Sequence, residues 1–508
     1  MSIVDPKPAA TGIVGLDDVL RGGFPANHVY LIQGDPGSGK TTLGLQFLLE
    51  GRRRGESGMY ISLSETGAEL ETVARSHGWS LDEIHMFEMK SVEQQFSRDT
   101  ENTLFEPSEI ELREVMQRLL TEIDQVSAGR VVFDSLSELR LLAQHPLRYR
   151  RQILLLKQFF AGRQCTVLFL DDRTAPEDDR QLQSIVHGVI QLEQTASAYG
   201  KERRRLRVVK MRGLEPRGGY HEISILKGGL QVFPRLVAAE HPLEFQQALL
   251  PSGVPELDAL LGGGIHRGTA TLIIGPAGSG KSSLALRYAL SAIERGEHVA
   301  LFAFDERIQT LLLRARGLGL ALEEAIESGR LRIKQIDPAE MGPGEFVASL
   351  NRAATEERTR VIVIDSLNGY LNAMPEERAM ALQLHELLSV LAQRGVSTFL
   401  IMAQHGIIGP AMQSPIDISY LADTVVMLRY FEADGRVRKA MSVLKKRSGI
   451  HEETIREYRM GPPHGISVGK PLTGFRGILT GVPSYLGGGG ETLVSSDPSR
   501  KPGMDVEG

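Results

Sequence analysis

The sequence predicts an α/β fold that occurs twice in one chain, and three observations support this prediction. The chain has 508 residues, whereas single hydrophobic cores stop growing near ~250–300 residues. A segment that begins at Thr11 aligns without gaps on a segment that begins at Ser252. In both segments, and beyond them, short apolar runs alternate with helical patterns, which is typical of a parallel sheet covered on both faces.

Strands and helices are expected in the same order in both copies. VYLIQ precedes a glycine-rich turn and a helix in the first copy, and TLIIG does so in the second. The apolar runs MYISL, RVVFD and TVLFL follow in the first copy, and VALFAF, VIVID and TFLIM follow in the second. The later stretches GVIQLEQ, RLRVVKM and HEISILKGGLQVF show β patterns without helices between them, and we expect them to extend the parallel sheet with antiparallel strands.

The length of the repeat indicates a duplicated domain. Gly34 aligns with Gly275, an offset of 241 residues (275 − 34), which is too long for the repeat unit of a solenoid. The end of the chain is rich in Gly, Ser, Pro and charged residues, a composition typical of disorder. We predict domains at residues 1–240 and 241–486, joined near residues 239–250, and a disordered tail at 487–508.

Composition and charge exclude several classes of protein. The chain has 58 Lys and Arg against 63 Asp and Glu, a net charge of −5, so it has no overall electrostatic footprint for DNA or RNA. Its single cysteine, Cys165, cannot form an internal disulfide, which is typical of a reducing compartment. The sequence has neither the layout of a secretory signal nor a run of ~18 apolar residues. We expect a cytoplasmic protein without membrane spans or a nucleic-acid partner.

Two glycine-rich loops match G-x-x-x-x-G-K-[ST] in full, each between a predicted strand and a predicted helix. Small residues let backbone N–H groups surround phosphate oxygens, and the helix N-terminus adds partial positive charge. We expect the lysines to reach the β- and γ-phosphates of ATP and the next hydroxyls to contact Mg²⁺. The predicted nucleotide-binding residues are Gly34, Gly37, Ser38, Gly39, Lys40, Thr41 and Thr42, with Gly275, Gly278, Ser279, Gly280, Lys281, Ser282 and Ser283.

Acidic residues follow two further strands of each copy. Asp134 ends RVVFD and Asp365 ends VIVID, where a carboxylate lies beside the P-loop and can hold the magnesium shell; a structural cap is the alternative. Glu65, Asp305 and Glu306 follow the strand after the P-loop helix. A carboxylate there can orient and deprotonate the attacking water or hydroxyl.

Part of this acidic segment has a structural interpretation as well. Thr66 and Glu69 have the spacing of a capping box for the next helix. Catalysis is therefore the favoured role for Asp305 and Glu306, while both roles stay open for Glu65.

A Lys-x-Arg pattern recurs near the end of each copy, as Lys210-Met211-Arg212 and Lys445-Lys446-Arg447. On a strand, the first and third side chains of such a pattern lie on one face. This arrangement suits a finger that reaches the γ-phosphate of a neighbouring subunit, which implies a closed ring. Solvated strand charges are the alternative.

Other basic clusters have plainer interpretations. Arg52, Arg53 and Arg54 fall at the end of the P-loop helix, where cations interact favourably with the helix dipole. The cluster from Lys201 to Arg205 is expected in a hairpin turn as a solvated surface. Cys165 is expected in the core, and no role is favoured for His405.

As a set, these motifs resemble the KaiC family of circadian-clock ATPases, which have tandem RecA-like domains. The resemblance covers the chain up to about Leu486 and implies a two-tiered hexamer with ATP between subunits, slow ATP hydrolysis, and autophosphorylation in the second domain. Both copies also share the opening signature G-x-x-x-L-D-x-x-L-x-G-G, at Gly12, Leu16, Asp17, Leu20, Gly22 and Gly23 and at Gly253, Leu257, Asp258, Leu261, Gly263 and Gly264.

The resemblance also assigns roles to single residues. It implies that the Lys-x-Arg residues contact nucleotide across the subunit boundary and that Ser76 lies near the base of the first-domain nucleotide. The family has paired catalytic glutamates, whose first member is replaced by Ser64 in one copy and Asp305 in the other. Because Ser64 cannot act as a carboxylate base, second-domain chemistry is the stronger expectation.

The segment PIDISYLADTVVMLRY resembles the phosphosite region of the family. It places Ser419 on the phosphorylated serine, Tyr420 on the phosphorylated threonine and Ser414 on a further threonine. A serine beside ATP is chemically sufficient for one phosphoryl transfer, and an ordinary interface hydroxyl is the alternative. The expected catalytic residues are Asp305, Glu306, Glu65, Lys40, Lys281, Arg212 and Arg447.

The sequence thus predicts an ATP-hydrolysing autokinase that forms a ring and acts with a protein signalling partner. A nucleotide-gated scaffold with little kinase activity is the first alternative, favoured by Ser64 and Tyr420. A DNA-dependent RecA-like ATPase is the second, which the fold permits but the acidic charge balance disfavours.

Overall fold

A computed structural model describes residues 7–88, 107–173, 182–196, 200–238, 248–372, 377–404, 419–479 and 483–485. The contacts divide the chain into two compact units, Met1–Arg235 and Leu236–Gly508. The predicted tail, His405, Ser414 and most of the predicted junction lie outside the described residues.

The first unit contains a nine-stranded sheet in the order β3-β2-β4-β5-β1-β6-β7-β8-β9. The six strands from β3 to β6 are parallel, and β7, β8 and β9 extend them antiparallel, as predicted. The prediction is wrong for GVIQLEQ, which forms β6 and pairs parallel with β1. Its strands are β1 (Val29–Gly34), β2 (Gly58–Ser62), β3 (Ile84–Glu88), β4 (Arg130–Asp134), β5 (Thr166–Asp172), β6 (Gly188–Thr195), β7 (Arg203–Met211), β8 (His221–Leu226) and β9 (Gly229–Phe233).

Helices cover both faces of this sheet, which explains why its strands are continuous apolar runs. Leu31 packs in the core on one face, and its neighbours Tyr30 and Ile32 pack in the core on the other. Cys165 is buried, and Arg52 and Arg53 occupy the last turn of α2, as predicted. The helices are α1 (Val14–Val19), α2 (Lys40–Arg53), α3 (Gly67–Ser76), α4 (Pro107–Val126), α5 (Leu136–Ala143) and α6 (Pro146–Phe160).

The second unit repeats the architecture with a nine-stranded sheet in the order β14-β13-β15-β16-β12-β17-β18-β19-β20. Its strands are β10 (Leu249–Leu250), β11 (Ile265–His266), β12 (Ala270–Gly275), β13 (His298–Ala303), β14 (Leu331–Gln335), β15 (Thr359–Asp365), β16 (Ser397–Ala403), β17 (Thr424–Ala433), β18 (Arg436–Lys446), β19 (Arg456–Gly461), β20 (Gly465–Pro471), β21 (Phe475–Arg476) and β22 (Ser484–Tyr485). Its helices are α7 (Pro255–Leu260), α8 (Lys281–Glu294), α9 (Ile308–Gly317), α10 (Glu323–Glu327), α11 (Pro343–Thr355), α12 (Leu367–Asn372) and α13 (Glu377–Gln393).

The two units therefore form tandem RecA-like α/β domains, in agreement with the predicted fold class. The short pairs β10–β11 and β21–β22 are antiparallel and lie outside the large sheet. Among the helices in the described ranges, none combines the length and apolar character needed to cross a bilayer.

A β-bulge occurs at the same place in both sheets. The register between β6 and β7 shifts where Val209 stands, and the register between β17 and β18 shifts where Leu444 stands. Each bulge lies immediately before the Lys-x-Arg pattern, and a bulge changes the direction in which neighbouring side chains point.

Candidate active sites

Each P-loop connects the central strand of a sheet to the helix that follows, β1 to α2 and β12 to α8. The last loop residues, Gly39 and Gly280, have φ angles of 102° and 101°, a left-handed conformation that favours glycine. The Ser38 hydroxyl is buried and has no hydrogen-bond partner among the described residues. An orphaned polar atom in a glycine-rich loop fits a site for phosphate oxygens.

The two P-loop lysines are buried but differ in their charge partners. Lys40 Nζ donates to the carbonyls of Gly34 at 2.9 Å and Asp35 at 3.1 Å, and forms an ion pair with Asp172 at 2.8 Å. Lys281 Nζ donates to the carbonyl of Pro276 at 2.7 Å. Burial lowers the pKa of Lys281 to about 8, with Asp365 opposing this effect.

A hydroxyl and a carboxylate meet beside each P-loop, where magnesium is expected. Thr41 Oγ1 donates to Asp134 Oδ2 at 3.1 Å, and the Tyr60 hydroxyl donates to the same oxygen. Ser282 donates to the Asp365 carboxylate in the second domain. Burial raises the pKa of both aspartates, and these hydroxyl donors partly oppose that shift.

The hydroxyl and carboxylate oxygens of these residues fit Mg²⁺, which prefers oxygen ligands and keeps several of its waters. No group of three or more His, Cys, Asp or Glu suited to a metal is found in the described ranges. The remaining ligands of an ion here would therefore be phosphate oxygens and water, as in other P-loop proteins.

In the first domain, Glu65 directs an uncommitted carboxylate toward this site. The predicted capping box is confirmed, because Thr66 and Glu69 bond reciprocally at the start of α3. Glu65 takes no part in it, and its Oε2 is buried without a hydrogen-bond partner in the described structure. Burial, followed by the charge of Asp134, raises the pKa of Glu65, and Lys40 opposes this effect.

In the second domain, both candidate carboxylates are engaged by other side chains. Asp305 is exposed, and its Oδ2 accepts a hydrogen bond from the Ser366 hydroxyl. Glu306 forms a two-point ion pair with Arg314, at 2.6 Å from Nη2 to Oε2 and 3.2 Å from Nε to Oε1. The sequence reasoning missed Arg314, although a charged residue aligned with the apolar Val73 was a visible difference between the copies.

The Lys-x-Arg lysines bond to backbone carbonyls in both domains. Lys210 Nζ donates to the carbonyls of Gln183 at 2.7 Å and Val186 at 2.9 Å. Lys445 Nζ donates equivalently to the carbonyls of Ser419 at 2.9 Å and Ala422 at 2.7 Å.

The arginines of the pattern contact the same segments. Arg212 Nη2 donates to the Ser184 carbonyl at 3.3 Å, and Arg447 Nη2 donates to the Tyr420 carbonyl at 2.8 Å. The Lys-x-Arg pattern therefore forms one local structure with the segment that precedes β6 or β17.

The parallel strands of each sheet end at two opposite edges, and the P-loop lies at one of them. The local structure around the Lys-x-Arg pattern lies at the other. Strand β17 runs parallel to β12 with Thr424 beside Thr271, and β12 ends at Gly275, where the P-loop begins. The four residue steps of β12 from Thr271 to Gly275 span about 13 Å along the strand. Ser419 precedes Thr424, so it lies at the far edge together with Lys445.

Three other predicted nucleotide contacts have local partners. The exposed Ser76, at the end of α3, donates to the Val73 carbonyl at 2.7 Å. Met211 packs against the apolar core of the first domain. Lys446 is buried and donates to the carbonyls of Leu261 and, at 3.1 Å, Gly264.

One prediction about the basic clusters is wrong. Arg204 is not a solvated charge, because its side chain is only 17% exposed and its Nε donates to the Gly37 carbonyl of the P-loop at 3.1 Å. Lys439 makes the equivalent contact to the Gly278 carbonyl at 3.2 Å. The signal was present in the sequence, because Arg204 and Lys439 share the offset of 235 residues that relates Lys210 to Lys445 (445 − 210).

Comparison with known proteins identifies relatives over nearly the whole chain. The family model described as "ATPase: KaiC" matches residues 9–237 and again residues 250–473. The circadian clock protein KaiC3 of Synechocystis is 26% identical, with 94% of each chain covered. The circadian clock oscillator protein KaiC of Acaryochloris marina is 26% identical over 95% of this chain and 92% of its own.

Proposed function

This chain belongs to the KaiC family of ATPases, and from that premise we propose that it hydrolyses ATP and phosphorylates Ser419 between subunits of a ring. The proposal is supported most directly by the duplicated P-loop sites and by the position of Ser419. The ATP-binding loops lie at one edge of each sheet, and the acceptor and Lys-x-Arg residues lie at the other.

Hydrolysis in the first domain would use groups that already lie together. Lys40 and the P-loop N–H groups would hold the phosphates, and Thr41 and Asp134 would hold Mg²⁺, which would neutralise charge on the phosphates when bound. A water oxygen bonds to the γ-phosphorus as the bond to the bridging β–γ oxygen breaks. ADP leaves with that electron pair, and the Glu65 carboxylate accepts the proton of the water.

Phosphorylation in the second domain would follow the same chemistry with a hydroxyl as the nucleophile. The Ser419 Oγ bonds to the γ-phosphorus, ADP leaves, and a carboxylate takes the hydroxyl proton. Because Ser419 lies at the far edge of its own sheet, the ATP that it uses would belong to a neighbouring subunit. Lys445 and Arg447, which hold the carbonyls of Ser419 and Tyr420, would reach that same nucleotide.

A trans arrangement repeated from subunit to subunit closes only as a ring. We propose a cytoplasmic homohexamer whose phosphorylation alters contacts at the subunit boundary, where a signalling protein reads the state. The relatives named as circadian clock proteins motivate this last step.

Two inactive variants that complement each other test the proposal. Purified protein is incubated with Mg-ATP, and phosphosites are mapped by mass spectrometry. We expect phosphate on Ser419 in the wild type and none on that position in Lys281→Ala or Ser419→Ala alone. When the two variants are co-expressed, the Lys281→Ala subunits should gain phosphate on Ser419.

Two results would count against parts of the proposal. Unmodified Ser419 in the mixture, with a modified wild type, would contradict transfer between subunits. An unmodified wild type that still binds ATP and assembles on nucleotide addition would instead support the nucleotide-gated scaffold, which the ion pair on Glu306 favours.

A further inference from the structure

Glu306, a candidate base of the second domain, is held at both carboxylate oxygens. Arg314 contacts Oε2 at 2.6 Å and Oε1 at 3.2 Å, and both side chains are more than two-thirds buried, at 29% and 26% exposure. The third contact of the guanidinium goes to Ser283 Oγ at 2.7 Å, on the P-loop helix. The arginine is therefore fixed between the P-loop helix and the carboxylate.

This ion pair opposes the chemistry expected of a base. A general base needs an accessible oxygen and enough proton affinity to take a proton in the transition state. The two-point guanidinium contact engages both oxygens of Glu306 and restricts their access to the attacking nucleophile. Because arginine stays protonated in proteins, its contact to Glu306 keeps the character of an ion pair.

The first domain has a different arrangement at the matching positions. Glu65 aligns with Glu306, and Val73 of α3 aligns with Arg314 of α9, both at the offset of 241 residues (314 − 73). An apolar side chain stands where the second domain has its guanidinium. Consistent with this, Glu65 Oε2 has no hydrogen-bond partner in the described part of the chain.

We propose that Arg314 silences Glu306 as a base, so that proton transfer in the second domain depends on Asp305. The proposal rests on the proposed function, in which both P-loop sites carry out phosphoryl transfer from ATP. It narrows the expectation from the sequence, in which both Asp305 and Glu306 are candidate bases of the second domain.

Removing the guanidinium from one domain and adding it to the other tests the proposal. In a Lys40→Ala background, which leaves the second domain as the ATPase, we expect Arg314→Val to raise kcat about tenfold, part of the ~10²–10⁴ that a general base contributes. In a Lys281→Ala background, Val73→Arg should lower kcat by about the same factor. The matched control is Arg316→Ala, which removes the Arg316–Glu323 ion pair from the same helix without touching the site and should leave kcat unchanged.

Nucleotide affinity separates silencing from a structural effect. The affinity of the second domain for a fluorescent ATP analogue should stay within twofold of the parent. If Arg314→Val lowers kcat while this affinity is kept, Arg314 positions Glu306 as the base and the proposal is wrong.

A measurement without ATP keeps this inference separate from the proposed function. Nucleotide-free protein is treated with a water-soluble carbodiimide and an amine, and modified carboxyl groups are mapped by mass spectrometry. Glu65 should be modified and Glu306 protected in the wild type, and Glu306 should become reactive in Arg314→Val. Equal reactivity of Glu306 in the two proteins would overturn the inference even if neither domain hydrolysed ATP.

Discussion

Glu65 shows how burial and a like charge can prepare a carboxylate for catalysis. Its side chain is half-buried, and Asp134 is close enough to disfavour a second negative charge. Both effects raise its pKa, and a base whose pKa lies nearer the working pH takes a proton more effectively. The hydroxyl of Ser62 fixes the Glu65 backbone at both its N–H and its carbonyl, so the residue is held in place without its carboxylate.

The raised pKa of Glu65 predicts the pH dependence of first-domain hydrolysis. Glu65 must be deprotonated to act, so activity is lost as the pH falls through its pKa. We expect the acid limb of kcat, measured in Lys281→Ala, to lie above the ~4.3 of an ordinary glutamate. Glu65→Gln should lower kcat at least ~100-fold while ATP affinity is kept.

Glu71→Gln provides the control, because Glu71 is exposed on α3 and pairs only weakly with Arg75, at 3.6 Å. Its kcat and acid limb should match those of the parent. An acid limb at or below the ordinary glutamate value, or full activity in Glu65→Gln, would show that another group takes the proton.

Among the secondary-structure elements, α3 links the candidate base to helix capping. Thr66 accepts a hydrogen bond from the Glu69 backbone, and the Glu69 carboxylate bonds back to Thr66. These bonds satisfy N–H groups that the first turn of a helix leaves without partners. Because Glu65 immediately precedes the N-cap residue Thr66, the cap also fixes the position of the Glu65 backbone beside the site.

Loss of this cap should loosen α3 measurably. Replacing an N-cap threonine by alanine costs about 1 kcal/mol, so Thr66→Ala should speed hydrogen exchange of α3 amides roughly fivefold. Thr72→Ala makes the same chemical change in the middle of the helix, where the Thr72 hydroxyl donates to the Ala68 carbonyl within the same helix, and should change exchange little. Equal acceleration in both variants would mean that the cap does not limit opening of α3.

Local patterns predicted the elements well, and contacts between distant elements were the part that sequence could not supply. Continuous apolar runs and glycine spacing are patterns within a few residues of sequence, and they were enough to predict the mainly parallel sheet, the P-loops and the capping box. Arg204 contacts Gly37 across 167 residues of sequence, and this contact depends on which strands become neighbours. Arg314 required knowledge of how α9 turns its side chains toward Glu306.

Across the whole molecule, the two domains keep one fold but stabilise equivalent segments with different arginines. Arg130, at the start of β4, is fully buried and donates to the carbonyls of Ala10 and Phe47 while pairing with Glu56 at 2.8 Å. In the second domain, the aligned segment is held instead by Arg287 of the P-loop helix α8, which donates to the Ser252 carbonyl at 2.8 Å.

Each arginine therefore supports the entry segment of its own domain, which contains Ala10 in the first domain and Ser252 in the second. Glycine at position 51 is part of this arrangement, because a Cβ there would lie 2.4 Å from Arg130 Cδ. Divergence after duplication has changed the supporting side chains while leaving the sheet order intact, and the contrast between Arg314 and Val73 is a second example at the site itself.

These separate contacts predict that removal of either arginine lowers the stability of its own domain and leaves that of the other unchanged. Arg130→Ala leaves two buried carbonyls without donors and opens a cavity, which we expect to cost roughly 3 kcal/mol. Glu56 is partly exposed and can be hydrated, so its lost charge pair adds little. Hydrogen exchange should accelerate in the strands of the first domain and stay unchanged in those of the second, with Arg287→Ala giving the reverse pattern. Acceleration in both domains from either variant would instead mean that the two units open as one cooperative structure, in which stability lost at one entry segment is lost everywhere.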